Sequence, residues 1–270
     1  MEIWSKVDKN AIISYVNDRR MSDGGFVFYR MEPSGGLDTF YALSILNDLN
    51  IEIQNKEEII AFIDSFGESN GLVDVYIKVM VYRLLGKDTN SLKDEVSATV
   101  ESYLIKELLD NKIELMVETV SIFESPNKVV ELCQLLDIPY DEEMITKKVL
   151  SYQKEDGGFG KECSNLADTY YAIKLLNLLK IEIDKYPKVI NYIKNSRWYK
   201  SFHTRYLEDI FYLIQSLKIL NQPVPHPKSF IVFIANCQKN GGFARNYPQA
   251  IANLEYTYLA VKSLLALEEV

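Results

Sequence analysis

The apolar residues of this chain recur at helical rather than alternating spacing, and the arrangement repeats along its length. From Gln153 to Leu179 the stretch QKEDGGFGKECSNLADTYYAIKLLNLL closes one helical segment, breaks at Gly157-Gly158 and restarts at Asp168. After the restart, Tyr171, Ile173, Leu175, Leu176, Leu178 and Leu179 cover a broad helical face. Asp23 to Leu49 repeats the break and restarts at Asp38, and Gln238 to Leu267 repeats it with Tyr256 in the place of Asp168. Weaker copies restart at Asp74 and Asp209 and after Ser125. Restarts at 38, 74, 125, 168, 209 and 256 each lie within reach of one helical hairpin, so the pattern predicts six hairpins. First helices are expected near Lys9 to Asn17, Lys56 to Asp64, Leu92 to Leu109, Glu142 to Tyr152, Pro187 to Lys194 and Lys228 to Cys237. Their partners are expected near Asp38 to Leu49, Leu72 to Leu85, Asn127 to Leu136, Leu166 to Leu179, Tyr206 to Leu220 and Asn253 to Leu267. The aspartates at the restarts are expected as N-caps, where a carboxylate accepts the free N–H groups of the first turn and meets the positive end of the helix dipole. Strand signals are nearly absent, because no Asn-Gly or Asp-Gly pair is flanked by alternating apolar and polar residues.

The second helices are apolar around much of their circumference, as at Tyr170-Tyr171-Ala172-Ile173, which suits the inner layer of a two-layered arrangement. With 270 residues and 47% hydrophobic content, the chain can bury a large core, and one domain over residues 1–270 is expected. The 38 acidic and 30 basic residues give a net charge of −8, which argues against a general affinity for nucleic acid or anionic membrane. Cys133, Cys163 and Cys237 show no CxxC spacing and predict reduced thiols, no apolar run is long enough to span a bilayer, and the N-terminal stretch lacks the apolar core of a signal peptide. The expected setting is cytoplasmic.

The Gln-x-x-Asp-Gly-Gly-Phe break at Gln153 to Phe159, followed by Asp168-Thr169-Tyr170-Tyr171, resembles the repeat of the protein prenyltransferase β-subunits and of the squalene and other terpenoid cyclases. Gln153-x-x-x-Gly157-x-Phe159 is also similar to the cyclases' Gln-Trp motif, with Phe for Trp. The resemblance implies an all-α fold, an α/α toroid (α/α barrel) of about six hairpins around a funnel-shaped cavity. It implies a zinc held by Asp and Cys spaced Asp-x-Cys, plus a later His; here those positions carry Asp168, Tyr170 and Tyr256. Two phenols beside one carboxylate are a poor ligand set, so no zinc site and no other resident cofactor is expected. Magnesium would enter only with a diphosphate ligand. The basic residues that the resemblance places before Asp168 are Glu162 and Asn165, and the cyclases' Asp-x-Asp-Asp acid motif does not occur.

Substrate-binding candidates are the basic residues Lys161, Arg197, Lys200, His203 and Arg205, set for an isoprenoid diphosphate at one rim, and Tyr41, Tyr170, Tyr171, Tyr212 and Tyr256, set for its chain. Ordinary solvated loop residues and core packing explain the same two groups. Asp38, Asp168 and Asp209 are the candidate catalytic acids of an α/α-barrel hydrolase, against capping as the plainer role. Three functions stay open: a prenyltransferase- or cyclase-like protein with an isoprenoid cavity, a non-catalytic toroid that binds a peptide, lipid or partner protein, and a hydrolase.

Overall fold

Four of the inner helices begin after an asparagine, glycine or tyrosine in extended conformation, three residues before the restart. In the strongest repeat Asn165 is the N-cap, and its side-chain oxygen accepts from the Asp168 N–H at 2.8 Å while its amide donates to the Asp168 carboxylate. Asp168 is therefore the third residue of the helix rather than its cap. Asp38, Asp74, Asp209 and Tyr256 hold the same third place, with Gly35, Gly71 and Tyr206 as the N-caps before the first three. The expectation of aspartate N-caps is corrected at all of these positions.

The structure is a computed structural model that describes residues 3–28, 33–66, 71–103, 120–182, 187–196, 199, 206–248 and 250–268. Twelve α-helices lie among them: α1 (Lys9–Asn17), α2 (Gly36–Asp48), α3 (Lys56–Asp64), α4 (Leu72–Leu85), α5 (Lys93–Tyr103), α6 (Glu124–Leu136), α7 (Glu142–Leu150), α8 (Leu166–Leu178), α9 (Pro187–Asn195), α10 (Leu207–Ile219), α11 (Pro227–Asn236) and α12 (Leu254–Glu268). Helix α2 packs on α4, and contact passes through α6, α8, α10 and α12 back to α2, so the six even-numbered helices close a ring. The odd-numbered helices lie outside it, with α1 on α2, α3 on α4, α7 on α8 and α11 on α12. Inner helices are buried nearly all round, as Ile173 and Leu175 of α8 and Leu213 and Ile214 of α10 show. Burying such a side chain stabilises the fold by about 1.5–3 kcal/mol.

The Gly-Gly-Phe break forms one motif three times. Phe26, Phe159 and Phe243 each donate a buried N–H to the hydroxyl of Thr39, Thr169 or Thr257, and each hydroxyl donates to a carbonyl one turn earlier, at Gly35, Asn165 or Asn253. The threonine after the restart thus ties the turn to its inner helix. In the last repeat the motif widens into three short antiparallel strands, β1 (Gln238–Lys239), β2 (Gly242–Ala244) and β3 (Ala252–Asn253), which the helical reading missed. Its earlier copies survive as single bridges from Phe26 to Arg20 and Gly35, and from Phe159 to Gln153 and Asn165. The pairs are too short to show any alternation.

The same turn joins one hairpin to the next. Gly157 sits at φ +94°, and a Cβ there would lie 2.2 Å from the Lys188 carbonyl oxygen of α9. Gly241, at φ +91°, meets the Ala11 carbonyl of α1 in the same way, so the last turn seats the first outer helix. The Gln238 side chain reinforces that seam, accepting from the Asp8 N–H and donating to the Asp8 carbonyl.

Candidate functional site

Side chains one turn beyond the N-termini of the inner helices meet inside the ring. Five of the six contribute tyrosine: Tyr41 from α2, Tyr76 from α4, Tyr170 and Tyr171 from α8, Tyr212 from α10 and Tyr258 from α12. The rings of Tyr41 and Tyr258 stand 5.2 Å apart and those of Tyr170 and Tyr212 5.4 Å apart, in tilted packing. Burial first, then the charge of neighbouring tyrosines and carboxylates, pushes the phenols of Tyr41, Tyr170, Tyr171, Tyr212 and Tyr258 well above their ordinary range. The rings of Tyr171 and Tyr212 pack 6.0 Å apart, and the phenols gather inside the ring of helices.

Ion pairs surround the tyrosines. Tyr76 donates to Glu131 at 2.7 Å, and Lys174 of α8 pairs with the other oxygen of the same carboxylate at 2.8 Å. Lys262 pairs with Asp48 at 2.9 Å and lies 5.6 Å from the Tyr258 ring centroid. Lys128 of α6, which takes the place of a tyrosine, pairs with Glu124 and lies 5.9 Å from the Tyr76 ring. Lys128 and Lys262 thus each rest between a carboxylate and a tyrosine face.

The ring is acidic where its inner helices begin. Glu124, Glu208 and Glu255 stand in the first turns of α6, α10 and α12, with Asp38 in the first turn of α2. Glu255 is raised above the ordinary carboxylate range by burial and then by the charges of Glu208, Glu124 and Asp38, with Arg245 opposing. Arg245 binds Glu208 through Oε1 at 2.6 Å, while Oε2 of Glu208 has no hydrogen-bond partner among the described residues.

The sequence candidates divide accordingly. Tyr41, Tyr170, Tyr171 and Tyr212 come together inside the ring. Tyr256 stands half-buried in the first turn of α12, its phenol pushed up to about 12 by burial and then by Glu208 and Glu255. Asp38 and Asp209 are half-buried in the first turns of α2 and α10, and burial raises Asp38. Asp168, 5% exposed, is committed elsewhere: it accepts from the Ser121 hydroxyl at 2.7 Å, the Ile122 N–H at 3.1 Å and Asn165. Lys161 is exposed, and its carbonyl accepts from Lys154. Arg197, Lys200, His203 and Arg205 lie outside the described residues. Glu124, Glu208 and Glu255 were missed, although an acid three or four residues before a lumen tyrosine, as in Glu208/Tyr212 and Glu255/Tyr258, was a readable signal. Asp168, Tyr170 and Tyr256 do not fit a zinc ion, since the one carboxylate is already taken by three donors.

The model of the prenyltransferase alpha-alpha toroid domain matches residues 2–124, 128–205 and 191–270. The chain belongs to that family. This prenyltransferase-family toroid is similar in structure to the protein geranylgeranyltransferase-I of Candida albicans, which was solved complexed with GGPP. The TM-score is 0.71 at 14% sequence identity, covering 98% of this toroid and 91% of that chain, and the likeness establishes the fold. No curated protein matches the toroid in sequence. Among its described residues, no helix is long and apolar enough to cross a membrane, and no group of three or more His, Cys, Asp or Glu is gathered as metal ligands would be.

Proposed function

We propose that this toroid is prenyltransferase-like in holding an isoprenoid-type ligand in its tyrosine lumen, and that it binds the ligand rather than transferring it. The observation that carries this reading is the convergence of tyrosines from five inner helices on the ring's axis, an aromatic lining suited to an unsaturated hydrocarbon chain. The fold it shares with a transferase complexed with GGPP supports the ligand class. The commitment of Asp168 to Ser121, Ile122 and Asn165 argues against transfer, because the family's metal chemistry would need that carboxylate. It also removes one of the three acids on which a hydrolase would depend. The test is calorimetric titration with farnesol and with farnesyl and geranylgeranyl diphosphate, with and without magnesium. Micromolar binding of farnesol that is lost in Tyr171→Ala is the expected result; no binding of any of the three abandons the reading.

A second reading, a protein-binding toroid, rests on a specific observation. Leu37 in the first turn of α2, Phe66 in the connection from α3 to α4, and Val120, Tyr206, Tyr247 and Ile251 in the segments that lead into α6, α10 and α12 are all exposed. Exposed apolar side chains gathered on one rim mark a contact surface. Light scattering that finds a monomer, together with unaltered farnesol affinity in Tyr247→Ser, would leave that surface unused.

A further inference from the structure

The Gly-Gly-Phe turn occurs three times, and one copy differs at the residue before its left-handed glycine. Gly24, Gly157 and Gly241 sit at φ +92°, +94° and +91°, each against a carbonyl of the next outer helix, and Asp23, Asp156 and Asn240 precede them. Both aspartates are tied down. Asp23 accepts from the Gly25 N–H at 3.0 Å and the Ser34 hydroxyl at 2.7 Å, and Asp156 from the Gly158 N–H at 3.0 Å and the Ser164 hydroxyl at 2.6 Å. In the last copy Ala252 stands where the serines stand, two residues before the inner helix. The Asn240 side chain is exposed and has no hydrogen-bond partner among the described residues. The Gly241 N–H likewise donates to no described group, since Gly242 is the residue that pairs with Lys239 across the two-residue loop.

We infer that the Asn240-Gly241 pair is a site of spontaneous deamidation whose product loosens the seam between the last and first hairpins. The Gly241 nitrogen attacks the side-chain carbonyl carbon of Asn240. A new C–N bond forms, the bond to the side-chain nitrogen breaks, and ammonia leaves with the proton given up by the Gly241 N–H. Glycine at 241 has no side chain to crowd that attack. Water then opens the succinimide ring at either carbonyl. One opening gives aspartate, the residue of the two sister turns; the other gives isoaspartate, whose backbone runs through the former side chain and is one methylene longer. The lengthened backbone falls where Gly241 seats against the Ala11 carbonyl and Gln238 clamps Asp8, the contacts at which the ring closes.

The full chain, folded and in urea, is held in mildly alkaline buffer while its peptides are followed by liquid chromatography and mass spectrometry. Folded Asn240 should convert within about tenfold of its rate in urea, since its side chain has no hydrogen bond to break and one such bond is worth about that factor. Asp23 and Asp156, which form the same ring in an unfolded chain, should stay unconverted in the folded one. Asn240→Gln should abolish conversion at this position, because a glutamine closes a larger ring far more slowly. Hydrogen exchange should be faster in α1 and β2 of the separated isoaspartyl form than in the parent, whereas Asn240→Asp, the other product, should match the parent. An Asn240 amide that persists in the folded chain but is lost in urea overturns the site. An isoaspartyl form that exchanges like the parent overturns the loosened seam.

Discussion

Asp23 and Glu255 are carboxylates near the start of an inner helix with opposite responses to acid. Burial opposes ionisation of Asp23, but the hydrogen bonds from the Ser34 hydroxyl and from the Gly25 and Ser34 N–H groups outweigh it and hold its pKa below 3.8. A carboxyl depressed by folding stabilises above its unfolded pKa, and that stability is lost as pH falls through the folded value. Glu255 is the reverse case, raised above 4.5, so its ionisation at neutral pH opposes folding and the opposition fades as pH falls through the raised value. Thermal melts from pH 7 downward should therefore show Glu255→Gln more stable than the parent at neutral pH, with the difference vanishing as pH approaches 4.5. Asp23→Asn should instead be the less stable protein at neutral pH and converge with the parent only below pH 3.8. At this scale the tyrosines were legible, because they recur at matching repeat positions. The glutamates were passed over despite their spacing from the tyrosines, since an acid in a first turn is already accounted for by the helix dipole.

The turn that carries the Gly-Gly-Phe break is the working joint of the fold. Gly157 combines a left-handed backbone with the Lys188 carbonyl where a Cβ would go, whereas Gly86, at φ +75° at the end of α4, has open space around it. Gly86→Ala should therefore cost only about 1 kcal/mol of backbone strain, and Gly157→Ala roughly 2 kcal/mol or more because α9 must also move. Urea denaturation of the two variants checks both values, and equal losses would refute the joint. Helix existence and limits were legible here: α1, α3 and α4 run as the pattern placed them, because polar breaks and glycines stop them. The cap was not. Aspartate is favoured both at an N-cap and in the first turn, so its presence alone could not show that Asn165 caps and Asp168 follows. The three short strands were hidden for a related reason, being too brief for any alternation and held by side chains such as Thr257.

For the molecule as a whole, the decisive feature is that α12 packs on α2. An open stack of hairpins has two frayed ends, since its terminal units have one neighbour each, whereas a closed ring has none. Native-state hydrogen exchange should accordingly give the buried amides of α2 and α12 protection comparable to those of α6 and α8. Marked loss of protection in α12 alone would mean that the seam opens independently. Repetition along the chain made six hairpins legible, but closure depends on the small rotation between neighbours, which no single repeat encodes. It is visible only in residues that meet across the whole chain length, such as Gly241 with Ala11 and Gln238 with Asp8.

That seam also brings the two described ends of the polypeptide side by side: the Trp4 indole donates to the Glu268 carboxylate at 3.4 Å. The contacts of the ring are set by neighbours in space, and each hairpin has two of them wherever the backbone happens to be cut. Joining the ends with a short flexible linker and opening the chain instead at the exposed Gly86, between α4 and α5, would give a circularly permuted protein with the same lumen.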